Sequence, residues 1–169
     1  DISEESLKRA AAAVSANKLT NVTFARQDIY DLDFADKSFD HLFCCFVLEH
    51  LADPGLALSR FKRVLKPRGT LTVIEGDHGS FLCHPPSEEI AAAVDCLVWL
   101  QRQKGGDALI GRRLYPLLSS SGFEQVEVEP RTVYADTSRP DVVSGFSEKT
   151  FIAMVAGIRE EAIASGCIS

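Results

Sequence analysis

"HLFCCFVLEHLADPGLALSRFKRVLKPRGTLTVIEGD", residues 41–77, is the stretch whose reading decides the fold. The apolar run Leu42–Leu48 carries no polar alternation, the pattern of a strand covered on both faces as in parallel sheets. Asp53 then offers a helix cap, Pro54 suits the first helical turn, and Leu58, Phe61, Val64 and Leu65 make one apolar stripe. Pro67 and Gly69 end that helix, and "TLTVIE", residues 70–75, reads as a second buried strand opening into the loop "GDHGSFLCHPP". Strand, helix and strand in this order predict a parallel crossover unit.

The flanks extend the alternation. On the N-terminal side, Ser3 to about Ala16 reads as a helix, capped by Ser3 with Glu4 and Glu5 at its positive end. Leu7, Ala10, Ala11 and Val14 share a face of it. Val22–Arg26 alternates as a short strand, and a carboxylate-rich polar loop follows. On the C-terminal side, a helix starts at Ser87, turns Ile90, Val94, Leu97 and Leu100 inward and ends at Gly105-Gly106. A further helix covers about Leu109–Ser121, with Pro116 near its first turns. "EQVEVEP" (124–130) and "RTVYA" (131–135) read as strands, and a last long helix runs from a Ser147 cap to Gly166. The fold class is α/β: one partial domain over residues 1–169, a mostly parallel, Rossmann-like sheet flanked by helices.

Composition narrows function. A net charge of −6, with acids spread along the chain, disfavours nucleic acid and anionic membranes as partners. The longest apolar run is far too short to span a bilayer, and the acidic start lacks a signal-peptide core. The 5 cysteines form no CxxC pair and no Cys/His ladder, so reduced thiols in a cytoplasmic protein are expected and a metal site is not. Cys83 and His84 are adjacent, which alone does not make a metal site.

In open α/β sheets ligands bind beyond the carboxyl ends of the strands. Three such ends are in view, near Asp1, at Asp28, and at Cys45-Phe46 leading to Glu49-His50. A carboxylate at a strand end can accept two hydrogen bonds from a ribose diol. A second, after the next strand, can accept one from an adenine amine, with Ile2 covering the adenine face. Such a set would be an adenosine clamp.

At these residues the chain resembles the class I S-adenosylmethionine-dependent methyltransferases, in the broad group that includes the ubiquinone/menaquinone-biosynthesis enzymes. "DISEESL", "VTFARQDIYDLDFADKSFDHLFCCFVLEHLADP" and "LKPRGTLTVIEGD" are similar to its successive motifs, in order, over roughly residues 1–77. The resemblance implies S-adenosylmethionine as cofactor and transfer of its methyl group to a small-molecule acceptor. Asp1 matches the ribose-binding acid and Ile2 the adenine-packing position. Asp28 matches the acid that meets the adenine amine, with Ile29 beside it. Cys45 and Phe46 match the strand end along the methionine part. Residues 1–77 would be the cofactor side and 78–169 the substrate side.

Two departures stand out. Arg68 occupies the place where the family often has glycine, which alters an exposed turn. The glycine-rich GxGxG strand–loop is absent, and no final antiparallel strand is evident after Gly166. On this reading the chain is truncated at both ends and inactive by itself, with exposed strand edges that favour self-association.

Other side chains have two readings each. His50 and His78 are the candidates for a base, but a His after a buried strand, as His50 is, is more often a structural hydrogen-bonder. Asp28 could simply cap a turn, and Asp1 could be a solvated terminus. Asp77, His78, His84, Arg112 and Tyr134 are candidate substrate contacts. The basic run Arg60, Lys62, Arg63, Lys66, Arg68 reads as a solvated helix face, and Trp99 and Tyr115 as core. Two other functions compete. A nicotinamide-linked oxidoreductase would use a similar sheet, but the chain has no Tyr-x-x-x-Lys pair. A non-catalytic, partner-binding module is the other.

Overall fold

The computed structural model describes residues 1–168. The chain divides into two compact units, one of Asp1–Phe43 with Asp53–Thr72, the other of Cys44–Ala52 with Val73 onward. The predicted crossover unit is present: β1 (Phe39–Cys45), α2 (Pro54–Val64) and β2 (Leu65–Ile74). Its two strands pair with each other. The Lys37 and Ser38 amides donate to the Arg63 and Val64 carbonyls, and the Phe46 amide to the Ile74 carbonyl. Partner numbers rise together along both chains, so the pairing is parallel.

Within the first unit, α1 (Glu4–Ala16) starts where Ser3 predicts, the Ser3 hydroxyl accepting from the Ser6 amide. It buries no residue. The Asp53 carboxylate caps α2 by accepting from the Leu56 amide at 2.8 Å, with Pro54 in the first turn. The expected stripe Leu58, Phe61, Val64 and Leu65 is buried, joined by Ala57. Each Leu, Phe or Val side chain among them adds about 1.5–3 kcal/mol on burial.

Several expectations change. Val22–Arg26 forms no regular strand. The Asp1 amine donates to the Ala25 carbonyl and the Gln27 amide to the Asp1 carbonyl, a parallel bridge opposite Arg26. The strand β1 is not covered on both faces: Cys44 is buried but its neighbour Phe43, on the opposite face, is 63% exposed. The basic run is not simply solvated. Arg60 donates to the Tyr30 carbonyl, Arg63 to the Leu32 and Phe34 carbonyls and to Asp36, and Lys66 pairs with Asp40.

Arg68, expected at an exposed turn, lies within β2, where it is exposed and takes a left-handed φ of +67°. A Cβ in that region costs roughly 1–2 kcal/mol, partly offset for glycine by its freer unfolded chain. Arg68→Gly is therefore expected to raise the unfolding free energy by about 0.5–1 kcal/mol, measured by urea denaturation.

In the second unit, α3 (Glu88–Gln103) is capped by the Ser87 hydroxyl, ends before the left-handed Gly105, and buries Val94, Cys96, Leu97 and Leu100. Leu109–Ser121 is a 3-10 turn (Ile110–Arg113) followed by α4 (Leu114–Ser120), with Pro116 in its first turn. Residues 124–136 are irregular, so the two strands expected there do not form. Val128, Val133 and Tyr134 are exposed, and the segment pairs with neither strand of the sheet. The last helical segment begins at Pro140 rather than Ser147, winds as a π-helix over Val143–Ile152 and breaks at Ile158. Ala162 on it closes a small core with Cys96 and Leu100. Trp99 and Tyr115, expected in the core, are exposed. No helix among the described residues is long and apolar enough to cross a membrane.

Candidate functional site

In the first unit, the parallel bridge sets Asp1 opposite Arg26 and so brings Asp1 and Asp28 to the same end of two chain segments. Arg26, which the sequence reading passed over, fastens this end: its guanidinium donates to the Ile2 carbonyl at 3.0 Å and to Glu4 at 2.9 Å. Its position in an alternating, otherwise apolar segment was the available signal. Asp1 Oδ1 accepts from the Ser3 amide and Asp28 Oδ1 from the Tyr30 amide, each at 2.8 Å. Asp28 thus caps a local turn, and each carboxylate keeps an oxygen without a partner among the described residues. Both are exposed, as is Ile2, while Ile29 is half-buried. Two exposed accepting carboxylates at the same end, with an exposed aliphatic neighbour, suit a ligand rich in hydroxyl and amine donors.

In the second unit, the carboxyl ends of β1 and β2 are clamped by one side chain, Glu75. Its Oε1 accepts from the Val47 and Leu48 amides at 3.0 and 2.8 Å, and its Oε2 from the Glu49 amide at 3.3 Å. These are the free donors at the start of the Leu48–His50 3-10 turn. Burial pushes the Glu75 carboxyl up, and the three amide bonds offset this only in part. Just before the clamp, Phe46 is 53% exposed with φ +51°, its amide held by Ile74. A bulky aromatic in that region is strained, and such residues cluster at ligand sites. Cys45, beside it, is half-buried with a free thiol.

The turn carries the most buried charge among the described residues. Glu49 is only 5% exposed, yet it faces two histidines. Its Oε2 lies 3.2 Å from His78 Nε2, and its Oε1 lies 3.6 Å from Nε2 of the exposed His50, beyond hydrogen-bond reach. Burial raises the Glu49 carboxyl, but the His78 hydrogen bond, the two imidazoles and Gln101 outweigh it and the net shift is downward. The Glu49 carbonyl is held as well, by Gln101 Nε2 at 2.9 Å and the Asp107 amide at 2.8 Å.

Of the candidate substrate contacts, Asp77 and Arg112 are brought together as a bidentate pair, with Nη2 to Oδ1 at 2.7 Å and Nε to Oδ2 at 3.0 Å. The contact lies next to His78, whose amide donates to the Ala108 carbonyl. His84 and Tyr134 are exposed, with no hydrogen bond to this cluster among the described residues. No group of His, Cys, Asp and Glu that could hold a metal occurs among the described residues.

Comparison with known proteins places these features. Residues 1–73 match the model of a methyltransferase domain. An uncharacterized 37.1 kDa protein in a Streptomyces fradiae transposon is 36% identical over 77% of this chain and 37% of its own. The O-methyltransferase resE of Aspergillus sclerotiorum is 29% identical over 95% of this chain and 56% of its own. The structure of phosphoethanolamine N-methyltransferase 2 from Haemonchus contortus, in complex with S-adenosylmethionine, superposes with a TM-score of 0.59 at 25% identity, over 97% of this chain and 39% of that one. The chain thus spans from about two fifths to just over half of these relatives. The matched residues are those that carry the Asp1–Asp28 end and most of the crossover unit, and over them the chain is similar to a methyltransferase domain.

Proposed function

We propose that the protein transfers a methyl group from S-adenosylmethionine to a small-molecule acceptor. The observation that supports this reading is the pairing of Asp1 with residues 25–27, which sets two carboxylates, Asp1 and Asp28, at the same end of two paired chain segments. There they would take the ribose hydroxyls and the adenine amine, with Ile2 and Ile29 against the base. Hydrogen bonds to a charged carboxylate add about 1.5–3 kcal/mol each. Cys45 and the strained Phe46 would line the amino-acid part. The group supplies an electrophilic methyl on a sulfonium; the chain's residues bind it, orient it and exclude water.

In this reading residues 1–77 are the cofactor side and 78–169 the substrate side, where Asp77, His78, His84, Arg112 and Tyr134 surround the acceptor. A cytoplasmic location agrees with the 5 free cysteines. The free edge of β1 offers a place for pairing with a second copy.

Calorimetric titration of the full-length protein with S-adenosylhomocysteine tests the reading. Saturable binding, with no heat from NADH, is expected. Binding of NADH alone would move the assignment to an oxidoreductase, and no binding of either at millimolar ligand would leave a non-catalytic module.

A further inference from the structure

We propose that Glu49 and His78 form a proton-accepting pair, with Nδ1 of His78 as the base and Glu49 as its positioning residue, and that the acceptor is methylated at a hydroxyl oxygen. The inference rests on the methyl-transfer reading and deepens it by naming the acceptor's chemistry.

Four observations carry it. The Glu49 carboxylate is buried and can only accept, so the His78 nitrogen that it meets at 3.2 Å, Nε2, must bear the proton. The neutral ring is then left with a bare Nδ1, which has no partner among the described residues. The two side chains are 7% and 18% exposed, so the charge that forms on the ring would be paired in a shielded place. Space is reserved for the ring as well: a Cβ on Gly76 would stand 3.3 Å from Nε2 and 3.6 Å from Glu49 Oε2. The pair also stands at the carboxyl end of β2, three residues past Glu75, with its backbone fixed by the Ala108 carbonyl and its Glu49 partner by Gln101 and Asp107.

An oxygen nucleophile needs this more than an amine does. A neutral amine attacks with its own lone pair and sheds its proton afterwards, whereas a hydroxyl becomes a good nucleophile only as its proton leaves. In balance, the acceptor oxygen gains the methyl carbon, the sulfur keeps the electron pair of the broken S–C bond, and the hydroxyl proton passes to His78 Nδ1. Glu49 stabilises the imidazolium until that proton is lost to water. His50 has no comparable place, because it is exposed and outside hydrogen-bond reach of Glu49.

The test is nitrogen-15 NMR of histidine-labelled protein, with phenol and anisole as probes. Long-range correlations in the free protein are expected to show His78 protonated at Nε2 and bare at Nδ1. Phenol, which has a proton to share, should shift the Nδ1 resonance saturably, and anisole should not. Glu49→Gln, checked for folding by circular dichroism, should weaken the phenol response about tenfold. A proton found on Nδ1, a silent response to phenol, or equal responses to phenol and anisole would overturn the proposal. The tautomer readout needs no variant, so it decides even if Glu49→Gln fails to fold. Titration of the same samples with S-adenosylhomocysteine separates failure of this pair from failure of the methyl-transfer reading.

Discussion

Glu75→Ala is expected to lower the unfolding free energy by about 4 kcal/mol, because it strips the acceptor from three backbone amides at once. The Val47, Leu48 and Glu49 amides have no other acceptor in the Leu48–His50 turn, and Glu75 meets all of them from the end of β2. A charged acceptor contributes about 1.5–3 kcal/mol per bond, and an orphaned buried donor costs a similar amount, so even non-additive losses sum to several kcal/mol. The pH dependence has a definite sign. The Glu75 carboxyl is raised from its ordinary 4.5, chiefly by burial, so the folded state holds its proton more tightly than the unfolded chain. Its own titration therefore favours folding below the ordinary carboxyl range and loses that benefit as pH rises through the raised value. Wild type and Glu75→Ala should accordingly differ more near pH 4 than near pH 7, as read from urea denaturation.

Gly106→Ala is the second large effect. A Cβ there would stand 2.5 Å from the Glu49 carbonyl oxygen and 3.1 Å from Cγ of Gln101. The oxygen cannot give way, since Gln101 Nε2 and the Asp107 amide both hold it. The turn must shift, and Glu49 is drawn off His78. A loss of about 3 kcal/mol is expected in denaturation, with the His78 imidazole signals displaced in the same sample. Gly157 is the control: nothing lies within 4 Å of its Cβ position at the end of a helix. Gly157→Ala should be neutral or stabilising by up to about 1 kcal/mol.

The crossover unit was legible because its signals are local. Asp53-Pro54 mark a helix start, and Leu58, Phe61 and Val64 repeat at helical spacing, so burial and capping follow from neighbours in sequence. The functional cluster was legible only in part. His78 and His50 were in view as candidate bases, but nothing near either in sequence distinguishes them. What does is register: parallel pairing carries the end of β2 to the turn after β1, so Glu49 meets a histidine 29 residues away. Glu75 is of the same kind, an acid ending a strand whose partners are backbone amides 26–28 residues back. Asp77 and Arg112, read as independent contacts, are neutralised by each other across 35 residues.

The misreadings share a cause too. "EQVEVEP" alternates well, but alternation alone makes no strand: the segment pairs with neither free edge of the two-stranded sheet. Ser147 looks like a cap, yet Pro140 starts the helical segment first and carries the chain through it. Arg60 and Arg63 sit on the polar side of α2, as helical spacing predicts, but that side faces a loop rich in carbonyls rather than water.

Under the proposed function, Asp1, Ile2, Asp28, Ile29, Cys45 and Phe46 would hold S-adenosylmethionine. Amide chemical-shift mapping of the full-length protein during titration with S-adenosylhomocysteine tests it most directly. The largest shifts are predicted at Ile2, Asp28, Ile29, Cys45 and Phe46, and they should saturate together. Saturable binding that leaves those amides unmoved, or no binding at millimolar ligand, would contradict it.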